Sequence, residues 1–310
     1  MKISIVVRYV EFEKVVETVK SLCIAAAYEL PDDVLSALTK AAGKESNPRA
    51  AKTLNQLIEN ARIAAKERIP LCQDTGLAVV FVEQGEEVAV RPPRNTRSRS
   101  KLCEGSGGGP VRRSVWRMTE AINAGVADGY EKGYLRKSVV GDPLNKRKNT
   151  GSNTPAVIHY ALVPGDKLKI TIMAKGGGCE NKSRFKMFNP TAQVSEIIDW
   201  VVDVAREAGA DACPPFIVGV GIGGDFEVSC FLSKRALLRN LNDKNPDKFY
   251  AKLEKDLLTR INALGLGPQG LGGDTTALAV LVEVAPCHIA SLPVAVNIEC
   301  HSHRHKTAII

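Results

Sequence analysis

Apolar residues recur three and four positions apart along the first 66 residues of the chain. One such series consists of Val15, Val19, Leu22, Cys23 and Ala26. This spacing is typical of a helix that buries one face. Pro31-Asp32-Asp33 favours the first turn of a second helix, and Asn47-Pro48 opens a third. The amino-terminal part of the chain is therefore predicted to be helical.

Shorter apolar runs further along the chain predict strands. Residues 77–82 and 88–90 flank Gly85 and suggest two strands joined as a hairpin. Other strands are expected at 156–162, 167–173, 216–220, 276–284 and 294–298, and other helices at 115–134, 194–208, 234–241 and 246–264. Strands and helices do not alternate strictly, as they would in a doubly wound sheet. We predict an α+β fold, with a helical N-terminal region followed by a mixed sheet flanked by helices.

The length and composition are those of a folded protein with a substantial core. The 310 residues are 44% hydrophobic, and residues 1–310 are expected to form a single domain. No run of about 18 apolar residues is present, and the first residues lack the long apolar stretch of a signal peptide. We therefore expect a cytoplasmic protein that does not enter a membrane.

Positive charge is concentrated in one segment. The net charge is +8, and residues 91–117 contain eight basic residues and one acid, which is 8 − 1 = +7. Residues 91–114 are rich in Pro, Arg, Ser and Gly, a composition that predicts a disordered basic loop. Nucleic-acid binding through this loop is an alternative function. Charge confined to one loop lacks aromatic stacking partners, however, so no nucleic-acid partner is expected.

The cysteines suggest a metal site built from distant parts of the chain. They occupy positions 23, 72, 103, 179, 213, 230, 287 and 300. A cytosolic protein of this size rarely uses disulfides, and no two cysteines have Cys-x-x-Cys spacing. A metal site would therefore have to gather cysteines that lie far apart in sequence. For any one of them, burial as a small apolar side chain is the commoner role.

Three cysteines lie in settings unlike the middle of a core strand. Cys72 precedes Gln73-Asp74-Thr75, Cys213 precedes two prolines, and Cys300 begins a stretch rich in histidine. Glycine beside polar residues also marks three strings, at 71–76, 149–155 and 175–182. Such strings suit loops in which the backbone approaches a ligand closely.

A dinucleotide-binding fingerprint must also be weighed. Residues 219–224 match Gly-x-Gly-x-x-Gly, which has this meaning only between a strand and a helix. Asp225-Phe226 does not suggest the start of a helix, and residues 265–270 match equally well. Chance repetition in a glycine-rich chain is the favoured explanation.

Histidines provide the remaining candidates. His301, His303 and His305 alternate and could bind metal from one face of an extended segment. A solvated terminal tail is the favoured explanation for them. His288 lies between two apolar runs, where a core histidine and a functional one are about equally expected.

Six strings taken together resemble a known family, the class I iron-sulfur fumarate hydratases and L-tartrate dehydratases, specifically the alpha subunit of the two-subunit form. These are PLCQDTG at 70–76, DPL at 142–144 with NTGSNTPAVIHY at 149–160, KGGGCENKS at 175–183, ACPP at 212–215, GVGIGGDFE at 219–227 and the stretch from Pro286. The likeness covers almost the whole chain.

The resemblance implies a cofactor and a set of site residues. In that family three cysteines bind a 4Fe-4S cluster, and by motif they fall on Cys72, Cys213 and Cys300. Three thiolates leave one iron lacking a protein ligand, which gives the substrate an open position. Asp74 resembles the catalytic acid/base, although a turn-capping aspartate is the alternative. The implied substrate contacts are Gln73, Gly151, His288 and, as a charge partner for a carboxylate, Lys175.

One departure from the family concerns the substrate carboxylate. Single-chain relatives carry an arginine near the start of the helix at 123–126, but this sequence has no arginine from 118 to 135. Arg136 or a partner residue must replace it, unless the substrate differs. The resemblance also implies a separate beta subunit that completes the active site, so a hetero-oligomer is expected.

The expected reaction is the reversible hydration of fumarate to malate, and L-tartrate dehydration is the alternative. Both involve small dicarboxylic acids, and the sequence does not separate them. A redox or storage role for the cluster is a further alternative, although electron-transfer clusters normally have four protein ligands.

Overall fold

The computed structural model describes residues 7–93 and 110–310. The chain divides into two compact units. Unit 1 consists of Met1–Glu29, Cys72–Ala174 and Arg304–Ile310, and unit 2 of Leu30–Leu71 and Lys175–His303. The expectation that residues 1–310 act as a single hydro-lyase domain stays a prediction.

Helices and strands are mixed along the described part of the chain. The helices are α1 (Phe12–Tyr28), α2 (Asp32–Ala42), α3 (Pro48–Glu67), α4 (Pro110–Lys132), α5 (Gly177–Glu180), α6 (Val194–Ala208), α7 (Phe226–Ala236) and α8 (Lys248–Asn262). The strands are β1 (Arg8–Val10), β2 (Leu77–Gly85), β3 (Val88–Val90), β4 (Val157–Val163), β5 (Leu168–Lys175), β6 (Arg184–Phe188), β7 (Phe216–Gly224), β8 (Ala277–Cys287), β9 (Leu292–Glu299) and β10 (His305–Ile309). Among the helices described, none is both long enough and apolar enough to cross a bilayer. The predicted α+β class is confirmed.

Unit 1 is built on a four-stranded sheet with the order β10-β5-β2-β4. Strand β10 is antiparallel to β5, and β2 is parallel to β4. Helices α1 and α4 pack together, and their apolar faces share one core with β2 and β5. Val15, Val19, Met118 and Ile122 are fully buried there. The helical spacing at the start of the sequence therefore marks the buried face of α1.

Unit 2 contains a second four-stranded sheet with the order β6-β9-β7-β8. Strand β7 is central, because it is parallel to β8 and antiparallel to β9. Val201 of α6, Val218 of β7 and Leu257 of α8 belong to its main core. Helices α2 and α3 form a smaller core through Val34 and Leu54. Asn47 starts α3 as predicted, because its Oδ1 accepts the backbone N–H of Arg49 at 2.9 Å.

The predicted hairpin at 77–90 is wrong. Both strands form, but β2 pairs with β4 and β3 pairs with β1. Seven of the nine residues of β2 are buried, as expected of an interior strand that lies between β5 and β4. The sequence showed the strands correctly, but their partners come from distant segments.

The helix expected at 234–241 is displaced toward the amino terminus. Helix α7 begins directly after Asp225, whose Oδ1 accepts the Val228 N–H at 2.9 Å. Gly219 and Gly221 lie in β7 beneath this helix, where an added Cβ would meet backbone oxygens of α7 at 2.0 and 2.1 Å. These glycines let helix and strand approach closely. The Asp225 carboxylate accepts the N–H of Val228 at the start of the helix. In a dinucleotide-binding fold, N–H groups at this position bind a phosphate.

The expected solvated tail at 301–305 is also wrong. Ser302, His303 and Arg304 are buried, and β10 is paired along β5. The Nε2 atom of His303 lies 2.7 Å from the carbonyl oxygen of Leu237. Burial lowers the pKa of His303. This stretch belongs to the folded core, because its polar side chains are buried and the strand that follows it is paired within a sheet.

The predicted disordered loop at 91–114 lies largely outside the described residues, which resume at 110. At its far end the prediction is wrong, because α4 begins at Pro110 and residues 110–114 are helical. Proline is favoured in the first turn of a helix, where no N–H is needed.

Replacing Gly221 with alanine should destabilise the protein. The new methyl group would collide with the backbone of α7, and overpacking of this kind costs about 1–3 kcal/mol of unfolding free energy. Gly43→Ala is the matched control, because Gly43 has φ −74° and its nearest obstacle is 3.7 Å away. Urea denaturation of both variants measures the difference. Equal midpoints for the two would contradict the close packing of α7 on β7.

Candidate active site

The loop Cys72–Gly76 precedes β2 in unit 1 and has a defined local conformation. Asp74 Oδ1 accepts the Gly76 N–H at 3.0 Å, and the Thr75 hydroxyl donates to the Arg136 carbonyl oxygen at 2.8 Å. The thiol of Cys72 is half-buried and lies 3.5 Å from Gln73 Oε1. Cys72, Gln73 and Asp74 are thus held on one short turn.

Two buried side chains fix this loop from below. The Tyr130 hydroxyl lies 2.9 Å from the Thr75 carbonyl oxygen and 3.0 Å from that of Gly76. Burial raises the pKa of Tyr130, so the hydroxyl stays protonated and donates. Asn153 Nδ2 donates to the Gly76 oxygen at 3.2 Å, and its Oδ1 accepts the Ser138 N–H at 2.7 Å. Asn153 is fully buried.

Asn153 also connects the loop that carries Gly151. The Gly151 N–H donates to Asn149 Oδ1 at 2.7 Å, and Gly151 is exposed with φ +78°. Because Asn153 belongs to the same loop and bonds to Gly76, unit 1 joins the loops bearing Gln73, Asp74 and Gly151. Four of the sequence-predicted residues, Cys72, Gln73, Asp74 and Gly151, therefore lie on adjoining loops.

Arg136 lies on the segment held between these two loops. Its carbonyl oxygen accepts from Thr75, and two residues later the Ser138 N–H donates to Asn153. The Arg136 side chain is exposed, and it forms no ion pair with any residue that the structure describes. An exposed guanidinium whose backbone is anchored to Thr75 is chemically suited to bind a carboxylate.

Unit 2 brings Cys213 and Cys300 to one end of its sheet. Cys213 precedes β7 and Cys300 follows β9, and the antiparallel register pairs Ile217 with Glu299. The His301 N–H donates to the Cys213 carbonyl oxygen at 3.4 Å, and His301 Nδ1 lies 3.0 Å from the same oxygen. Cys213 is exposed, and Cys300 is half-buried.

Gln269 reinforces this junction, although no sequence pattern pointed to it. Its side-chain Nε2 lies 3.0 Å from the Pro214 carbonyl oxygen and 3.1 Å from His301 Nδ1. The Gln269 N–H also donates to the Pro214 oxygen at 2.8 Å. One side chain therefore links the segments after Cys213 and Cys300.

His288 lies at the opposite end of the same sheet. It follows Cys287, which pairs with Gly224, the last residue of β7. Its ring Nδ1 accepts the Ala290 N–H at 3.1 Å in an exposed turn. The nine residues of β7 span about 26 Å at the usual rise of a strand. Unit 2 does not bring His288 next to Cys213 or Cys300, and its role as a substrate contact stays a prediction.

Lys175 is buried in a network of charges. Its ammonium lies 2.9 Å from the Ile298 carbonyl oxygen, 3.3 Å from Glu180 Oε2 and 3.4 Å from Glu299 Oε2. Lys175 and Glu299 are each 1% exposed. Burial alone would lower the pKa of Lys175, but its neighbours, above all the Glu299 carboxylate, outweigh that effect and raise the pKa. The ammonium is thus charged in the folded protein.

Cys179 and Glu299 are site residues that the sequence reasoning missed. The Cys179 sulfur lies 3.2 Å from Glu299 Oε1 and 3.2 Å from the Lys175 ammonium. One ligand atom each from Cys179, Glu299 and Cys300 lie within 4.8 Å of one another, a spacing that could hold a metal ion. The available signal was an acid at the end of an apolar strand, directly before a candidate ligand.

Comparison with known proteins identifies the class to which this arrangement belongs. Residues 16–309 match the sequence model of the family described as Fumarate hydratase (Fumerase). The chain is 38% identical over 295 residues to a protein of Methanocaldococcus jannaschii named "Putative L(+)-tartrate dehydratase subunit alpha". The aligned region covers 94% of this chain and 95% of that protein. It is 28% identical over 297 residues to the L(+)-tartrate dehydratase subunit alpha of Escherichia coli O157:H7, covering 96% and 91%.

These matches define the chain as a hydro-lyase homologue of the alpha-subunit type. The chain belongs to the fumarate hydratase (Fumerase) family. The resemblance drawn from the sequence is confirmed, including its alpha-subunit character.

Replacing Tyr130 with phenylalanine should loosen the Cys72–Gly76 loop. The change removes the donor for two buried carbonyl oxygens and should lower the unfolding free energy by about 1–3 kcal/mol. Tyr134→Phe is the control, since Tyr134 is 89% exposed. Thermal denaturation and amide hydrogen exchange at Thr75 and Gly76 measure both effects. An exchange rate unchanged by Tyr130→Phe would show that this hydroxyl does not fix the loop.

Proposed function

We propose that this chain is the alpha subunit of an iron-sulfur hydro-lyase that acts on a small dicarboxylic acid. Cys72, Cys213 and Cys300 would hold a 4Fe-4S cluster with one iron lacking a protein ligand. The observation that carries the proposal is the junction of Cys213 with His301, which brings two of these cysteines to one sheet end. The family match supports it.

The chemistry of the donors fits such a cluster. Thiolates are the usual ligands of iron-sulfur clusters. None of the seven described cysteines forms a disulfide, and Cys72, Cys213 and Cys300 are all at least partly accessible. Cys23 and Cys179 are buried instead. When bound, the cluster supplies a Lewis-acidic iron with an open coordination position.

Asp74 is the proposed general acid/base. In hydration, a hydroxyl group adds to one carbon of the double bond and a proton adds to the next, and dehydration reverses both steps. Asp74 would give the proton to that second carbon or remove it. The Gly76 N–H on Oδ1 orients the carboxyl group, and Gln73 and the exposed backbone of Gly151 are proposed to hold the substrate beside it.

Arg136 is the proposed partner of a substrate carboxylate within this chain. It is anchored through its backbone to Thr75, directly after Asp74. A guanidinium binds a carboxylate through two parallel hydrogen bonds, which fixes the orientation of the substrate. It would thus supply the positive charge that the 118–135 segment lacks.

The proposed assembly contains a separate beta subunit. The relatives in Methanocaldococcus jannaschii and Escherichia coli are named as alpha subunits, and a dicarboxylate needs more positive groups than Arg136 alone. The beta subunit would complete the site in a hetero-oligomer.

Fumarate is the first proposed substrate, with malate as its hydration product. L-tartrate is the second candidate, because both relatives bear the name of an L(+)-tartrate dehydratase. The two substrates share the carboxylates and the reacting carbon pair, and tartrate carries one more hydroxyl group than malate.

Replacing Cys72, Cys213 or Cys300 singly with serine should abolish cluster binding. The measurement is iron and sulfide per chain, with the visible absorbance, after anaerobic reconstitution. Cys230→Ser and Cys287→Ser are controls, since neither residue belongs to the proposed ligand set. Cluster loss in a control with retention in the three variants would overturn the ligand assignment.

Hydro-lyase activity should require both subunits and Asp74. The chain reconstituted anaerobically with its beta subunit should convert fumarate or L-tartrate, and the chain alone should be inactive. Asp74→Asn should lower kcat by about 10²–10⁴-fold without loss of iron, and Asp142→Asn serves as the control because Asp142 only caps a turn. Strong activity of the chain alone would contradict the shared site, and inactivity of the complex on all dicarboxylates would contradict the function.

A further inference from the structure

We infer that Lys175 and Glu299 form a buried ion pair that positions Cys300, so that Lys175 is a positioning residue and does not bind substrate. The inference rests on the proposed function, because the role of Cys300 as a cluster ligand comes from it. It assigns a role to Glu299 that no sequence motif indicated.

Glu299 fixes the backbone of the residue that follows it. Its Oε1 accepts the Cys300 N–H at 3.1 Å and lies 3.2 Å from the Cys179 thiol, which donates to it. Glu299 itself is the last residue of β9, in register with Ile217 of β7. The carboxylate therefore ties the turn that carries Cys300 to a rigid strand, as the outer partners of metal ligands commonly do.

A buried carboxylate needs a compensating charge, and Lys175 provides it. An uncompensated charge in a protein interior is strongly destabilising, whereas a paired and hydrogen-bonded one is tolerated. The Lys175 ammonium lies 3.4 Å from Glu299 Oε2 and donates to the Ile298 carbonyl oxygen, on the residue before Glu299. The two contacts hold the end of β9 from consecutive residues.

The ammonium of Lys175 is enclosed by acceptors of the protein itself. An ammonium group offers three protons, and four acceptors surround this one: the Ile298 oxygen, Glu180, Glu299 and the Cys179 sulfur. At 1% exposure, binding a substrate carboxylate would require breaking these contacts. Its charge is neutralised by Glu180 and Glu299 inside the protein.

The same ammonium argues against a second metal site at Cys179, Glu299 and Cys300. Lys175 lies within 3.4 Å of ligand atoms on two of these three residues. A metal cation among these ligands would stand within a few ångströms of a buried ammonium, where like charges repel strongly. The Cys179 thiol therefore serves as a hydrogen-bond donor to Glu299. The Lys175 ammonium provides the positive charge that a metal ion would otherwise supply to these ligands.

The charges of the network balance. Glu180 accepts from Lys234 and, at 3.2 Å, from Asn297 Nδ2, and it forms an ion pair with Lys175. Two lysines thus face two glutamates. Lys234 touches Glu180 without an ion pair to Glu299, which makes it a matched control for Lys175.

A double-mutant cycle tests the inference on the full chain. Lys175→Met leaves the buried Glu299 carboxylate without its ion-pair partner, and Glu299→Gln leaves Lys175 and Lys234 to share Glu180 as their one carboxylate. The double variant removes both charges, and its amide oxygen still accepts the Cys300 N–H. The first readout is the alkylation rate of Cys300 by iodoacetamide in cluster-free protein, measured by peptide mass spectrometry. The second is iron retained against a chelator after anaerobic reconstitution.

Each single variant should lower iron affinity by about 10-fold or more and change the Cys300 alkylation rate in the same measurement series. The double variant should recover most of both losses, because an unpaired charge costs more than a missing pair. Lys234→Met should match the parent protein. If a single variant fails to fold, iron retention and Cys300 alkylation can still be measured on the neutral double variant. A double variant that folds but binds iron no better than Glu299→Ala would overturn the inference.

Other outcomes separate this inference from the proposed function. Parental iron retention and Cys300 reactivity in Lys175→Met, together with a raised KM for the dicarboxylate, would make Lys175 a substrate contact and overturn the positioning role. Iron retention in Cys300→Ser would instead overturn the ligand assignment. The alkylation readout needs no cluster, so it tests the positioning of Cys300 even then.

Discussion

The cost of leaving a buried polar group unsatisfied determines how both parts of the candidate site are built. In unit 1, Asn153 is fully buried and satisfies both halves of its amide by bonding to Gly76 and to Ser138. In unit 2, Glu299 is fully buried, accepts from the Cys300 N–H and the Cys179 thiol through Oε1, and forms an ion pair with Lys175. Each side chain would be destabilising alone. The hydrogen bonds that satisfy these two side chains hold the neighbouring loops in one conformation. The loops are thereby fixed to the rigid core.

The helices that sequence periodicity found are those whose stability comes from one apolar face. Helices α1, α3 and α6 were located this way, and α6 was predicted with its observed bounds. Helix α7 was missed at its start because its packing depends on Gly219 and Gly221 in a different element. A hydrophobic pattern indicates which side chains are buried. The contact between α7 and β7 instead depends on backbone atoms that approach each other at glycines, which such a pattern does not show. Strand partners were missed for a related reason, since pairing of β2 with β4 is a non-local choice.

The sequence predicted those residues of the candidate site that belong to recognisable sequence motifs. The strings around Cys72, Gly151 and Cys213 led to loops that the structure joins within each unit. The same strings could not show whether a charged residue faces solvent. Lys175 and Arg136 are both candidate cations in the sequence, but Lys175 is 1% exposed within a network of ion pairs and Arg136 is exposed. Burial is set by the fold, so the division of roles between the two became visible only with the structure.

That division bears on how a dicarboxylate could be held. Two carboxylates need positive groups that are accessible and not already neutralised. Lys175 and Lys234 of unit 2 form ion pairs with Glu180 and Glu299, so we infer a role for Lys175 in supporting Cys300 and not in binding an anion. Arg136 in unit 1 is accessible and is held through its backbone to Thr75, so it is the residue we propose for one carboxylate. Under the proposed function, the second carboxylate would bind the cluster iron or a cation of the beta subunit. Discrimination between fumarate and tartrate would accordingly depend on groups outside the charge network of unit 2, which explains why a chain so clearly assigned to its family leaves its substrate open.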